Sequence, residues 1–259
     1  MKTREGTSWE RSVPRIRQVE FESAMALIPL GRDARVLKLG SSDGFQLGLL
    51  RRRLDRVVAI DPAHRPTSKQ GFVFGVAEAL PFPDAMFDLV ISNRVEEHLR
   101  DRRKALEEKQ RVLRPGGSML HVVPGVFWKI TALPLNPLGY PLRMAEKWRA
   151  RRQVPQMPGN LGGRLAAPPR PEILEGLSRW VCPPLHGTYS SHLAECRAYR
   201  RRRWREIFTH SRLAFCAEAP LQTYAQFGFL SFHFLGLRGW LARRGAASSW
   251  AFLFRKVEQ

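Results

Sequence analysis

Between residues 35 and 124, short apolar runs alternate with helix-forming stretches, and turn residues separate them. Apolar runs of this length suit strands that are buried on both faces of a parallel sheet, with the helices packed against those faces. The pattern therefore predicts an α/β domain. The predicted elements are strand 35–39, helix 45–53, strand 56–60, strand 71–75, strand 87–92, helix 102–113 and strand 118–123.

The first predicted strand ends in Gly40-Ser41-Ser42-Asp43-Gly44, a Gly-x-Ser-x-Gly pattern with two interpretations. Ser42 is either a nucleophile on a strand-to-helix elbow or the replacement of the middle glycine in a phosphate- or nucleoside-binding turn. Asp61 ends the second strand, 21 residues after Gly40. A carboxylate at that position accepts hydrogen bonds from both ribose hydroxyls, although an aspartate before a proline is also an ordinary turn residue.

The longer run from Gly75 to Pro124 contains, in order, Ala77, Glu78, Leu80, Pro81, Phe82, Phe87, Asp88, Glu97, His98, Arg111, Val112, Leu113, Pro115, Gly116 and Gly117. With these residues the run strongly resembles class I S-adenosylmethionine-dependent methyltransferases of the type 11 branch. The resemblance implies a Rossmann-like fold with a mostly parallel seven-stranded sheet. It also implies S-adenosylmethionine as the cofactor, and it makes the hydrolase interpretation of Ser42 the weaker one, because a nucleophile elbow normally follows several strands.

The resemblance also implies roles for individual residues. Gly40 and Gly44 allow the backbone to approach the methionine part of the cofactor, and Ser42 takes the middle-glycine position of that turn. Asp61 holds the ribose. The adenine is flanked by Ala77 and Glu78, and Asn93 lies where the family exposes residues to the methyl donor.

Three positions depart from the family pattern: Lys38, Ser42 and Val76. Lys38 replaces an acidic residue, and its positive charge opposes a cationic cofactor unless the long side chain turns into solvent. Val76 replaces the acidic residue that contacts the adenine amino group, and Ser42 crowds the ligand. These departures leave two hypotheses open: a methyltransferase with a weakened cofactor site, and a non-catalytic binding or scaffold protein with the same fold.

Transfer of a methyl group to a hydroxyl requires a base that removes the proton. Three histidines are candidates. His98 belongs to the family's Glu-His pair, where a structural role is expected, and His121 lies within a predicted strand, where a buried histidine is common. His186, in PPLHGTYSSH, is the predicted catalytic base, because a His-Gly turn beside Tyr189 suits the mouth of a pocket.

Four segments are predicted along the chain: an N-terminal arm and helix (1–34), the cofactor-binding core (35–124), a Pro-rich basic cap (125–190) and a C-terminal part that completes the sheet (191–259). The first includes a helix over 19–27. Prolines are expected to exclude long regular elements from the cap, leaving short helices over 141–152 and 171–180. The last segment is expected to contain helix 195–211, strand 214–224, helix 226–244 and strand 248–257.

The net charge of +20 is unevenly distributed. Residues 1–124 hold 22 Lys and Arg against 16 Asp and Glu, whereas residues 125–259 hold 21 against 7. Such a surface suits anionic lipid, nucleic acid or an acidic substrate. The run at 224–244 resembles an interfacial segment, although it also suits a core helix. The arginine-rich run at 197–206 suits nucleic acid phosphates, so an RNA-modifying methyltransferase ranks third.

These features favour a small-molecule or a lipid- or glycan-linked acceptor. The charged N-terminus lacks the apolar core of a secretory signal, which predicts a cytoplasmic protein, peripheral on the inner face of the membrane if it binds lipid.

Cys182, Cys196 and Cys216 are too far apart for a predicted zinc or disulfide framework, and no metal site is predicted.

Membrane association predicts that the protein pellets with anionic vesicles and not with neutral ones, because the basic surface attracts anionic headgroups. Co-sedimentation at physiological and raised salt measures this difference. Equal, negligible pelleting with both vesicle types would contradict the prediction.

Overall fold

The computed structural model of the protein describes residues 8–40, 44–62, 71–152, 183–209, 212–224 and 235–257. The strands are β1 (Arg35–Leu39), β2 (Arg56–Asp61), β3 (Phe72–Phe74), β4 (Phe87–Asn93), β5 (Leu113–Pro124), β6 (Leu213–Gln222) and β7 (Ser249–Lys256). The helices are α1 (Ser8–Met25), α2 (Phe45–Arg51), α3 (Arg102–Val112), α4 (Val126–Arg152), α5 (His192–Ala198), α6 (Arg201–Phe208) and α7 (Leu235–Leu241). A 3₁₀ turn (Glu96–His98) follows β4, and a π-helical turn (Ala242–Ala246) follows α7.

The seven strands form one sheet in the order β3-β2-β1-β4-β5-β7-β6. Strands β1 to β5 pair in parallel, and β7 runs antiparallel to both β5 and β6. This arrangement confirms the predicted Rossmann-like α/β fold with a mostly parallel seven-stranded sheet.

The central strands are buried on both faces, as their continuous apolar runs predict. In β1, Leu37 and Leu39 belong to one buried apolar cluster, whereas Val36 belongs to the cluster on the opposite face. In β4, Val90 lies in the cluster of Leu37 and Leu39, and Leu89 lies in the cluster of Val36. Since side chains alternate across a strand, each apolar residue of these runs contributes to one of two cores.

A buried ionic network connects β4 to α3 and β5. The Glu96 carboxylate accepts hydrogen bonds from Ser92 Oγ and Lys109 Nζ, each at 2.6 Å, and Oε1 lies 3.0 Å from Nδ1 of His121. Although burial alone would raise the pKa of Glu96, Lys109 and His121 hold that pKa well below its usual range. Burial, followed by the Lys109 charge, lowers the pKa of His121, which favours its neutral form with the proton on Nδ1.

The predicted elements of the core agree with the structure to within two residues for six of the seven, including β1 and α3. β5 is longer than expected because it begins at Leu113, directly where α3 ends. The N-terminal helix is also longer than expected, since α1 begins at Ser8 and continues through Pro14.

The expectation that prolines exclude long elements after residue 125 is wrong. α4 extends for 27 residues and contains Pro134, Pro137 and Pro141. Each proline removes a backbone hydrogen-bond donor, so tertiary contacts have to support the helix. One such contact is buried: Lys129 Nζ lies 2.6 Å from Glu195 Oε2 on α5.

The predicted helix over 195–211 is two helices, α5 and α6, because the chain turns between them. Tyr199 is buried at that turn and Arg200 has an extended backbone conformation. Trp204 and Phe208 bury one face of α6, and the arginines of the opposite face are exposed, as the basic pattern predicted. Of the predicted helix 226–244, only residues from 235 onward lie within the described ranges; predicted helix 171–180 lies outside them.

Replacing Lys109 by Met is expected to lower the free energy of unfolding by about 3–5 kcal/mol, because Glu96 would keep a buried charge without its ammonium partner. The loss is measured by urea denaturation at pH 7. The matched control is Arg103→Met on the same helix, whose exposed ion pair with Glu107 is expected to contribute less than about 0.5 kcal/mol. Combining Glu96→Gln with Lys109→Met should recover at least half of the loss, and equal losses in the Lys109 and Arg103 variants would contradict the role of the network.

Candidate active site

The carboxyl ends of β1, β2 and β4 meet at one edge of the sheet, which brings together three predicted site residues. Gly40 follows β1, Asp61 ends β2 and Asn93 ends β4. β1 lies between the other two strands, so the chain order reverses at the boundary of β1 and β4. Ligands of open α/β sheets bind in the crevice at this switch point.

Gly40 has a conformation and surroundings that require glycine. Its φ is +67°, and its backbone N–H donates to the carbonyl oxygen of Ile60 at 2.9 Å. A Cβ at this position would lie 2.5 Å from Cγ2 of Val95, in the loop after β4. Gly44 also has a positive φ, of +78°, at the start of α2. Ser42 lies outside the described residues.

Asp61 is buried at the end of β2, next to the side chain of Lys38. Lys38 is 1% exposed, so its side chain does not turn into solvent. Its Nζ donates to the carbonyl oxygens of Leu39 and Gly40, each at 2.7 Å. Burial lowers the pKa of Lys38 to about 7; Asp61 opposes that shift and Arg17 of α1 adds to it. A titratable amine therefore lies against the glycine turn.

On the β3 side of this edge, Ala77 is buried and Glu78 is half-buried. The Glu78 carboxylate accepts a hydrogen bond from the backbone N–H of Arg100 at 3.3 Å. Val76 is 43% exposed. An adenine lying here would therefore meet an exposed apolar side chain at the position where the family has an acidic one.

Asn93 is buried, and Arg94 after it has a left-handed backbone with φ of +56°. The Arg94 guanidinium hydrogen-bonds to Glu20 of α1 at 3.1 Å and to the hydroxyl of Tyr224. Arg94 thereby attaches α1 and the chain after β6 to the end of β4. Arg94 was not predicted as a site residue, because an arginine after a strand carries no distinguishing sequence signal.

His186 lies against the 3₁₀ turn after β4. Its Nε2 is 3.5 Å from Oε1 of Glu97, and its ring contacts His98 edge-on with centroids 4.8 Å apart. The ring of Trp128 contacts it from α4 at 5.2 Å. The chain from the second half of the protein thus places the predicted base beside the Glu-His pair of the core. Glu97 matched the family pattern without being recognised as a site residue, although it is adjacent to a histidine.

His121 is fully buried in the Glu96 network and stacks on Phe208, with centroids 3.9 Å apart. It is part of the buried core.

Two surface cavities, of about 510 and 490 Å³, lie elsewhere. The first is lined by residues from the amino ends of the parallel strands, including Arg35, Arg56 and Ser118. Since ligands of this fold class bind at the carboxyl ends, neither cavity is the candidate cofactor site.

The chain is similar to known methyltransferases in sequence and in fold. Residues 37–121 match the family described as methyltransferase domain. A protein of Mycolicibacterium smegmatis named a "probable S-adenosylmethionine-dependent methyltransferase" is 34% identical over 116 residues, which cover 41% of this chain and 44% of that protein. A malonyl-[acyl-carrier protein] O-methyltransferase of Methylococcus capsulatus is 38% identical over 98 residues, covering 33% and 36% of the two chains.

Solved structures show the same fold over most of the chain. An S-adenosylmethionine-dependent methyltransferase of Mesorhizobium loti superposes with a TM-score of 0.54 and 14% identity, covering 92% of this chain and 98% of the other. A methyltransferase of Thermotoga maritima gives 0.53 and 16% identity, covering 96% and 94%.

Residues 37–121 therefore match a methyltransferase domain, and the chain has the Rossmann-like fold of class I methyltransferases, as the resemblance predicted. S-adenosylmethionine, which the names of the Mycolicibacterium relative and the Mesorhizobium structure contain, is the predicted cofactor. The sequence matches span less than half the length of these curated relatives. Among the described residues, no helix is long and apolar enough to cross a bilayer.

Affinity for S-adenosylmethionine is expected to rise about tenfold between pH 6 and pH 8.5, because Lys38 loses its proton near pH 7 and stops repelling the sulfonium. Isothermal titration calorimetry measures this. S-adenosylhomocysteine, which has the same amino group and no sulfonium charge, should show a smaller rise.

Lys38→Met is the matched variant, since it retains most of the side-chain volume without the amine. It is expected to bind S-adenosylmethionine at pH 6 as tightly as the wild type does at pH 8.5. The same pH profile in the variant and the wild type would contradict a role for Lys38.

Proposed function

We propose that the protein transfers a methyl group from S-adenosylmethionine to a small-molecule or a lipid- or glycan-linked acceptor. The observation that carries this proposal is the meeting of Gly40, Asp61 and Asn93 at the β1/β4 switch point of a methyltransferase domain. S-adenosylmethionine supplies an electrophilic methyl group, and the residues of the chain bind and orient the two reactants.

The described residues fit the cofactor in two respects. Gly40 has a positive φ and no room for a Cβ beside Val95, so the chain after β1 makes a turn that requires glycine, as the cofactor turn of the resembled family does. The Asp61 carboxylate, at the end of β2, suits the two ribose hydroxyls as a double acceptor. Gly44, at the start of α2, would also lie near the cofactor, while Ala77 and Glu78 would border the adenine and Asn93 the transferred methyl group.

The acceptor would bind between the end of β4 and the returning chain at residues 183–190. In the metal-free protein, His186 is the proposed base. Its imidazole is half-buried, and Oε1 of Glu97 lies 3.5 Å from its Nε2. That contact leaves Nδ1 to face an acceptor hydroxyl. Trp128 and Tyr189 supply aromatic surface on the same side.

An anionic surface is the proposed location of the acceptor. On α7, Leu237 and Trp240 are exposed, and the Arg244 guanidinium lies 4.1 Å above the Trp240 ring. Exposed apolar and aromatic residues beside arginines are typical of segments that bind anionic headgroups. This arrangement favours a lipid-linked acceptor over a nucleic acid.

The alternative is a binding or scaffold protein that does not transfer methyl groups. The observation that favours it is Lys38, because its buried amine donates into the Gly40 turn where a cationic cofactor would bind. The two proposals differ in whether the cofactor binds.

Calorimetric titration with S-adenosylmethionine and S-adenosylhomocysteine at pH 8 tests the proposed function. Wild-type protein is expected to bind both, and Asp61→Ala to weaken binding at least about tenfold because the ribose loses a charged acceptor. Asp55→Ala, at an exposed aspartate paired with Arg32 in the loop before β2, is the matched control and should bind as the wild type does. A folded sample that shows no binding at millimolar cofactor would overturn the proposal in favour of the scaffold alternative.

A further inference from the structure

Three potential metal ligands converge beside the carboxyl edge of the sheet. Glu97, His98 and His186, here called the Glu97 cluster, each place one ligand atom within 4.8 Å of the other two. Glu97 and His98 are adjacent in the 3₁₀ turn after β4, whereas His186 lies almost ninety positions later. The sequence predicted no metal site, because ligands this far apart in the chain do not form a recognisable spacing.

Glu97 is the unusual member of this cluster. Its side chain is fully buried, and neither carboxylate oxygen receives a hydrogen bond from the described residues. The neighbouring Glu96 is equally buried but has Lys109 at 2.6 Å, and Glu195 has Lys129 at the same distance. A buried carboxylate is costly unless a cation or several donors compensate its charge.

The backbone holds His186 in place against Glu97. The Thr188 N–H donates to the Glu97 carbonyl oxygen at 3.2 Å, and the Tyr199 hydroxyl donates to the His186 carbonyl oxygen at 3.0 Å. Gly187, between His186 and Thr188 in the chain, has a φ of +83°. A Cβ at this position would lie 2.3 Å from the Glu97 carbonyl oxygen. The two halves of the cluster are therefore fixed by main-chain contacts and do not depend on an ion to meet.

Two imidazoles and one carboxylate form a ligand set that divalent first-row transition metals favour, and three protein ligands leave a coordination position open. Ligands about 2.1 Å from a tetrahedral Zn²⁺ lie roughly 3.4 Å apart. The 3.5 Å separation of Glu97 Oε1 and His186 Nε2 already matches this value. The exposed His98 side chain has the freedom to complete the set.

We propose that the Glu97 cluster binds one divalent transition-metal ion, for which Zn²⁺ is the probe. The ion would compensate the buried charge of Glu97 and would occupy Nε2 of His186. An occupied cluster therefore gives His186 a metal-ligand role in place of the base role proposed for the metal-free protein.

The cluster lies next to the cofactor edge, because Val95, two residues before Glu97, touches Gly40. An ion with an open position would bind an oxygen or sulfur atom of the acceptor and orient it toward that edge. This last step rests on the proposed function, whereas metal binding itself does not.

The test uses untagged full-length protein stripped with EDTA and titrated with Zn²⁺ by calorimetry and with Co²⁺ by visible absorption. One ion is expected per chain. His98→Gln and His186→Gln should each weaken binding at least about tenfold, with circular dichroism unchanged because neither side chain is fully buried. The cobalt spectrum should lack a thiolate charge-transfer band, which excludes binding by the cysteines.

The matched control is His192→Gln. His192 also faces a buried carboxylate, with Nδ1 3.7 Å from Oε2 of Glu195, but Lys129 already compensates that charge. The Zn²⁺ affinity of the His192→Gln variant should stay within about twofold of the wild-type value, since His192 lies outside the cluster. Absence of stoichiometric binding, or equal binding by the wild type and both cluster variants, would overturn the proposal.

Titration of the same sample with S-adenosylmethionine separates the two proposals. Zn²⁺ binding without cofactor binding would retain the metal site and remove the methyl-transfer role, and cofactor binding without Zn²⁺ binding would do the reverse.

Discussion

The ion pair between Glu96 and Lys109 fixes the part of the molecule on which the candidate site depends. It lies in a fully buried position between β4, α3 and β5. Ser92 and His121 also hydrogen-bond to the Glu96 carboxylate. A charged pair at such a position contributes little net stability over an apolar core, but removal of either partner is costly. The pair therefore specifies where the 3₁₀ turn lies, and that turn carries Glu97 and His98.

The core of the fold was predictable because its signals are local. Continuous apolar runs such as Leu89 to Ile91 describe strands that are buried on both faces, and the turns between the predicted elements contain the expected glycines and prolines. The second half was less predictable for physical reasons. α4 passes through three prolines because its contacts with α5 support it, and Tyr199 divides a predicted helix because its side chain is buried at a turn. Neither contact is visible in the local sequence.

The candidate site was predictable to the same extent. The ends of three parallel strands carry Gly40, Asp61 and Asn93. The meeting of these residues at one edge is therefore a consequence of the sheet topology alone. The approach of His186 to Glu97 depends on the path of the chain after residue 125, which no spacing rule describes. Lys38 is the instructive case, since its position opposes a cationic ligand. The structure shows that the same amine satisfies two carbonyl oxygens at the end of β1, so that its charge is linked to the main chain of the cofactor turn.

The turn at Gly187 has a consequence for how this protein can diversify. The chain between β5 and α5 returns to the core at this residue, where the close contact with the Glu97 carbonyl excludes any side chain. Variation at residue 187 is therefore restricted by the main chain of the core, because a side chain there would push the returning segment away from Glu97.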